Sequence, residues 1–109
     1  MDWTRVAELK TEFGDDGFAE VLDLFLEETD AVAAEISAGI SSEEVEGRLH
    51  FLKGSALNLG LPVLAHICQD GERLAASARA SEVDLLAVLN TYRLAREALV
   101  QGLQNRHAA

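Results

Sequence analysis

The sequence is poor in cysteine, proline and aromatic residues, with one cysteine, one proline and six aromatic side chains among 109 residues. A single cysteine, Cys68, excludes an intramolecular disulfide and is typical of a reducing compartment. The scarcity of proline and aromatic residues favours helices over sheets. No apolar run approaches the roughly 18 residues that a membrane span needs, and no leader pattern opens the chain. We therefore expect a cytoplasmic domain without a membrane segment.

Basic residues are also few: nine stand against nineteen acidic residues, and the formal net charge is −10. A field of this sign repels nucleic acid and anionic membrane surfaces, so neither is an expected partner. It favours protein partners that carry a basic docking patch. With 49% hydrophobic and 26% charged residues, the composition predicts one globular domain over residues 1–109, which we expect to be monomeric.

Apolar residues recur at helical spacing through the whole chain, and no segment alternates like a strand. Glycines and capping residues divide the pattern into a short first helix and four longer ones. The predicted helices cover about residues 2–13, 16–38, 42–59, 62–79 and 82–106. Because the connections are short, consecutive helices are expected to be antiparallel. The predicted fold is all-α: an up-down-up-down four-helix bundle with a short additional N-terminal helix.

One face of the third predicted helix, residues 42–59, carries an unusual set of side chains. On a helical wheel they lie within about 60° of His50, away from the apolar stripe: Glu46, Gly47, His50, Lys53, Gly54 and Leu57. A glycine inside a helix destabilises it by roughly 1 kcal/mol relative to alanine, so Gly54 lowers the stability of this helix. A glycine at this position is explained if a partner must reach the imidazole of His50.

An exposed neutral imidazole is a good nucleophile near neutral pH, and its attack on a phosphoryl group requires nearby positive charge. Lys53 can supply an ammonium to the phosphoryl oxygens, and Gly54 removes bulk from the approach. No phosphate-binding loop or kinase signature accompanies these residues. We therefore expect a phosphocarrier rather than an enzyme, with Mg²⁺ and the catalytic groups supplied by a partner.

The run His50-Phe-Leu-Lys-Gly-Ser-Ala-Leu-Asn-Leu-Gly60 resembles the signature of histidine-containing phosphotransfer (HPt) domains of multistep phosphorelays. The resemblance extends over about residues 15–106. It implies that His50 is phosphorylated on Nε2, that donors and acceptors are receiver-domain aspartates, and that a sensor or hybrid histidine kinase feeds the relay. The direction of transfer stays open, because such transfers are reversible in the family. Glu46, Gly47 and Leu57 are the expected docking surface for a receiver.

The resemblance also concerns the next helix, where family members often carry a polar residue that orients the histidine ring through Nδ1. The matching position here is Glu72, and Gln69, one turn earlier, is the second candidate. A carboxylate at this place accepts Nδ1–H and leaves Nε2 free to attack. Gly71 and Ser77 depart from the family pattern, since larger apolar residues are common at both positions.

Two other functions compete with the phosphorelay intermediate. The first is an adaptor: the same bundle docks a receiver or a kinase without being phosphorylated. The second is a metal-binding bundle that uses His50, His66 and nearby acids. The paired Glu-x-x-His motifs of such bundles are absent from the sequence, and we expect neither a metal site nor a bound cofactor.

Overall fold

The computed structural model describes the backbone of residues 1–108 and the side chains of residues 1–105, so Ala109 of the predicted domain lies outside it. Within that range the chain is helical and contains no strand, which confirms the all-α prediction. None of these helices is long and apolar enough to cross a membrane. The helices are α1 (Trp3–Ala38), α2 (Ser42–Leu59), α3 (Pro62–Ala76) and α4 (Leu85–Ala108), with a 3₁₀ turn at Ala80–Glu82.

Helix α1 is broken at Gly14, whose dihedral angles are φ 74° and ψ 171°. This backbone conformation strongly favours glycine, since a Cβ atom is strained there. At the start of the helix, the Asp2 side chain accepts hydrogen bonds from the backbone N–H groups of Thr4 and Arg5. The short first helix of the prediction corresponds to the part of α1 that precedes this break.

The turn between α2 and α3 anchors the N-terminal segment. Gly60 ends α2 with a left-handed φ of 73°, and a Cβ there would lie 2.6 Å from the carbonyl oxygen of Asp2. The Asp2 N–H donates to the Gly60 carbonyl at 2.7 Å, and Nε of Arg5 donates to the Asn58 carbonyl at 2.9 Å. The first residues of α1 therefore pack directly on the end of the helix that carries His50.

The predicted end of the α3 segment is wrong: the helix ends at Ala76 rather than at about residue 79. Ala78 takes a left-handed φ of 62°, and the N–H of Arg79 returns to the Leu74 carbonyl at 2.8 Å. These are the features of a Schellman motif. The apolar spacing did not reveal it, because the left-handed position is occupied by alanine rather than glycine.

The predicted start of the last helix is also corrected. Helix α4 begins at Leu85 rather than at about residue 82, and Ser81 lies in the 3₁₀ turn. The cap is Asp84, whose Oδ1 accepts the N–H of Ala87 at 3.0 Å. Serine and aspartate both commonly cap helices, and only the contacts of the turn show that Asp84 rather than Ser81 is the cap.

The core lies along one side of α2 and is completed by the other three helices. Fully buried side chains alternate along α2 with the exposed face that holds His50. The buried residues of α2 are Val45, Leu49, Leu52, Ala56 and Leu59. Helix α3 comes close to α2 at Gly71, where a Cβ would lie 2.5 Å from Cδ1 of Leu49. The close packing of these two helices therefore depends on the missing side chain at position 71.

A polar network joins α1 to α4 across the other side of the bundle. Nε and Nη2 of Arg96 each lie 2.9 Å from a carboxylate oxygen of Asp30, and the Tyr92 hydroxyl also donates to this carboxylate. The Tyr92 oxygen is 2.8 Å from Oγ1 of buried Thr29. The hydrogen bonds from Arg96 lower the pKa of Asp30, and burial raises the pKa of Tyr92 to about 12.

A pair of glycine substitutions on α2 and α3 separates close packing from helix propensity. We expect Gly71→Ala to lower the free energy of unfolding by about 1–3 kcal/mol, since the new Cβ overlaps Leu49. Gly47→Ala should instead raise it by about 0.5–1 kcal/mol, because a Cβ at position 47 meets no atom within 4 Å. Urea denaturation of both variants measures the two effects, and a stable Gly71→Ala protein would contradict the packing argument.

Candidate functional site

His50 projects from α2 into solvent. Its side chain is 70% exposed, whereas Leu49 and Leu52, on either side of it in the helix, are fully buried. The ring is held at one nitrogen, because Nδ1 lies 3.3 Å from Oε2 of Glu72 on α3. The helical wheel thus placed His50 correctly, on the face opposite the core.

Glu72 connects His50 with Lys53. While Oε2 faces the imidazole, Oε1 lies 3.0 Å from Nζ of Lys53. The Glu72 side chain is only 15% exposed, and Oε1 is buried without a hydrogen bond of good geometry. The distance to Lys53 is that of an ion pair, but its geometry is not that of a hydrogen bond. Oε1 of Glu72 therefore lacks a hydrogen-bond donor.

The Glu72 carboxylate determines which nitrogen of His50 carries the proton. An ionised carboxylate can only accept hydrogen bonds, so the hydrogen of a neutral imidazole lies on Nδ1. The lone pair is then on Nε2, at the end of the ring that is not held by Glu72. This arrangement suits nucleophilic attack by Nε2 on an incoming group.

The surroundings of His50 on α2 are open. Glu46, Gly47 and Gly54 are exposed, and Leu57 is 60% exposed. A Cβ at either glycine would meet no other atom within 4 Å. Packing inside this chain therefore gives no reason for glycine at these two positions. Gln69 is exposed on α3 and makes no recorded contact with His50, so of the two candidates it is Glu72 that lies at the ring.

A groove between α1 and α2, lined by both apolar and polar side chains, was not found from the sequence. Phe13 and Leu24, half exposed, line it together with Ser55. Phe13 is an apolar residue of the predicted first helix and would be expected to be buried, yet its side chain is 46% exposed. Spacing alone does not reveal this, because the break at Gly14 turns the two parts of α1 relative to each other.

The residues considered for a metal site are not brought together. His66 is exposed on α3, and its Nε2 lies 3.4 Å from Asp70. Among the side chains described, no group of three or more histidine, cysteine, aspartate or glutamate residues has the arrangement of a metal site.

Cys68 is fully buried on α3, on the inner side of the site. Burial raises the pKa of its thiol to about 12, and the nearby charge of Glu72 acts in the same direction. The thiol is therefore protonated at neutral pH and does not act as a nucleophile.

The chain is similar to a known protein family. A family model for the Hpt domain matches residues 20–106, which include the second half of α1, all of α2 and α3, and α4 as far as Arg106. His50, Lys53 and Glu72 all fall within the matched part. No curated protein and no solved structure matches the chain.

The raised pKa of Cys68 predicts a loss of stability in alkaline solution. Since the folded pKa exceeds the ordinary thiol value of 9.0, the stabilisation is complete below pH 9 and is lost as the pH rises towards about 12. Between about pH 8 and about pH 10, we expect the wild type to lose about 1 kcal/mol more unfolding free energy than Cys68→Ala. Urea denaturation at both pH values measures this, and equal losses would contradict the prediction.

Proposed function

Because the chain belongs to the Hpt domain family, whose members are phosphocarriers in two-component signalling, we propose that His50 is the phosphoacceptor of a phosphorelay. His50 takes the phosphoryl group on Nε2 from an aspartyl phosphate of a receiver domain and passes it to another receiver. The observation that carries this proposal is the exposed imidazole whose Nδ1 faces a carboxylate.

The transfer needs little from this chain beyond position and charge. The Nε2 lone pair of His50 forms the bond to phosphorus while the bond from phosphorus to the aspartate oxygen breaks, and the aspartate leaves as a carboxylate. Glu72 orients the ring, and the ammonium of Lys53, one turn along α2, stabilises the phosphoryl oxygens. Gly47 and Gly54 leave room for the receiver to approach.

The proposed partners follow from what the site requires. Phosphoryl transfer needs Mg²⁺ and positioning groups, which the receiver supplies, while a sensor or hybrid kinase provides the phosphoryl group. Glu46, Gly47 and Leu57 form the proposed docking surface for the receiver. We place the protein in the cytoplasm as a monomer. The short α1–α2 and α2–α3 connections support the antiparallel up-down order of the bundle.

Phosphorylation assays with the wild type and His50→Gln test the function. After incubation with a phosphorylated receiver domain, we expect acid-labile, base-stable label on the wild type and none on His50→Gln. If His50→Gln still becomes labelled, His50 is not the phosphorylated residue. Binding of receivers without any label on the wild type would favour the adaptor function instead.

The glycine at position 54 provides a second prediction, in which stability and transfer change in opposite directions. Gly54→Ala should raise the unfolding free energy by about 0.5–1 kcal/mol, because the helix gains propensity and the Cβ meets nothing. The rate of transfer from a receiver should nevertheless fall, by about tenfold, which corresponds to about 1.4 kcal/mol in the barrier.

Asn90→Ala is the matched control for this substitution, since Asn90 is exposed on α4 and the change adds helix propensity on another helix. It should leave the transfer rate unchanged. An unaltered rate in Gly54→Ala would show that the glycine does not serve the approach of the receiver.

A further inference from the structure

Glu72 faces two nitrogen groups, and in the unphosphorylated protein only one of them carries a fixed positive charge. Nζ of Lys53 is 3.0 Å from Oε1, and Nδ1 of His50 is 3.3 Å from Oε2. A largely buried carboxylate is costly unless a cation compensates it, and Lys53 is that cation. The Lys53 side chain is itself only 23% exposed, so the pair is partly shielded from water.

Transfer of a phosphoryl group to Nε2 of His50 creates a second pair of charges at the same place. The N–P bond forms with the Nε2 lone pair, the departing aspartate keeps the electrons of the broken P–O bond, and the proton on Nδ1 stays where it is. The ring therefore becomes an imidazolium cation that bears a dianionic phosphoryl group. The cation faces Glu72, and the anion attracts Lys53.

We propose that phosphorylation of His50 exchanges the cation of Glu72: Lys53 moves to the phosphoryl oxygens, and the imidazolium ring takes its place beside the carboxylate. This inference rests on the proposed function of His50. The exchange keeps the Glu72 carboxylate beside a cation in both states, Lys53 before phosphorylation and the imidazolium ring after it.

The consequence concerns the proton on Nδ1. A carboxylate next to the imidazolium favours the charged ring, so the proton is retained at higher pH than it would be without Glu72. When the phosphoryl group leaves a protonated ring, the leaving group is a neutral imidazole rather than an imidazolate. Glu72 thereby keeps phospho-His50 in its reactive form.

Few charged groups face the His50 ring. Glu72 is the one ionisable side chain of residues 1–105 recorded in contact with it, and that contact comes from α3. On its own helix, Lys53 and Glu46 share its face. No recorded ion pair or hydrogen bond joins His50 to a charged group of α1 or α4 within the same range.

The experiment uses phosphoramidate, a small phosphoryl donor that reacts with histidine without a receiver. The full chain is loaded, the donor is removed, and the loss of phosphate is followed by ³¹P NMR from about pH 5 to about pH 9, with the His50 signal assigned from His50→Gln. Protonated phosphohistidine hydrolyses faster than the neutral form. Glu72→Gln keeps an oxygen acceptor for Nδ1–H but removes the charge. We expect its hydrolysis rate to decline with pH about one pH unit lower than that of the wild type. Above the midpoints of both declines, hydrolysis should be about tenfold slower in Glu72→Gln than in the wild type.

Two further variants distinguish charge exchange from a general structural effect. Glu43→Gln removes the same charge from an exposed position two turns before His50 on α2 and should leave the pH profile unchanged. Lys53→Met removes the cation that the exchange places beside the phosphoryl oxygens, so the ³¹P chemical shift of phospho-His50 should differ from that of the wild type in Lys53→Met and not in Glu43→Gln. An unmoved pH profile in Glu72→Gln, or a ³¹P chemical shift that Lys53→Met leaves unchanged, would overturn the exchange.

The outcome is independent of whether the phosphorelay function holds. A wild type that takes phosphate from phosphoramidate but from no receiver domain contradicts the proposed function, while the pH profiles still decide the exchange. If the wild type exchanges phosphate with receivers but has the same pH profile as Glu72→Gln, the proposed function is supported and the charge exchange is contradicted.

Discussion

The close approach of α3 to α2 at Gly71 is the contact on which the site depends. A Cβ at this position would lie 2.5 Å from Cδ1 of Leu49, the residue that precedes His50. Because Leu49 is held there, the adjacent His50 is fixed on the outer face of α2, and Glu72, the residue after Gly71, is brought within 3.3 Å of its ring. The missing side chain at position 71 thus allows the close approach of the two helices that carry the imidazole and its carboxylate.

Glycines at the buried and at the exposed side of α2 have opposite effects on stability. At Gly71 the absence of a side chain is required by packing within the chain. At Gly47 and Gly54 the same absence leaves empty space and reduces helix stability. Because no contact within the chain requires these glycines, the space they leave is open to a group from outside the chain. Under the proposed function, that is the receiver domain whose phosphoryl group must come into line with Nε2 of His50.

The sequence was sufficient for the all-helical fold, the Hpt family and the exposure of His50, because these follow from periodicity and from a run of adjacent residues. It was not sufficient for features that depend on contacts between segments. The alanine at the left-handed position 78 carries no signal of its own, so α3 ended earlier than predicted. Gly71 looked like a departure from the family pattern, whereas in the structure it accommodates Leu49. The pairing of Lys53 with Glu72 also escaped sequence reasoning, which assigned the lysine to the phosphate alone.

The pairing of Lys53 matters more in this chain than it would in a neutral one. The net charge is −10, so under the proposed function a dianionic phosphoryl group on His50 enters a negative field, and Lys53 is already engaged with the Glu72 carboxylate. Exchange of partners is the arrangement in which the phosphoryl group gains Lys53 without leaving Glu72 uncompensated. The same negative field raises the free energy of the phosphorylated state. Under the proposed function, this field favours passing the phosphoryl group to a receiver domain, where the Mg²⁺ expected on that partner would supply positive charge.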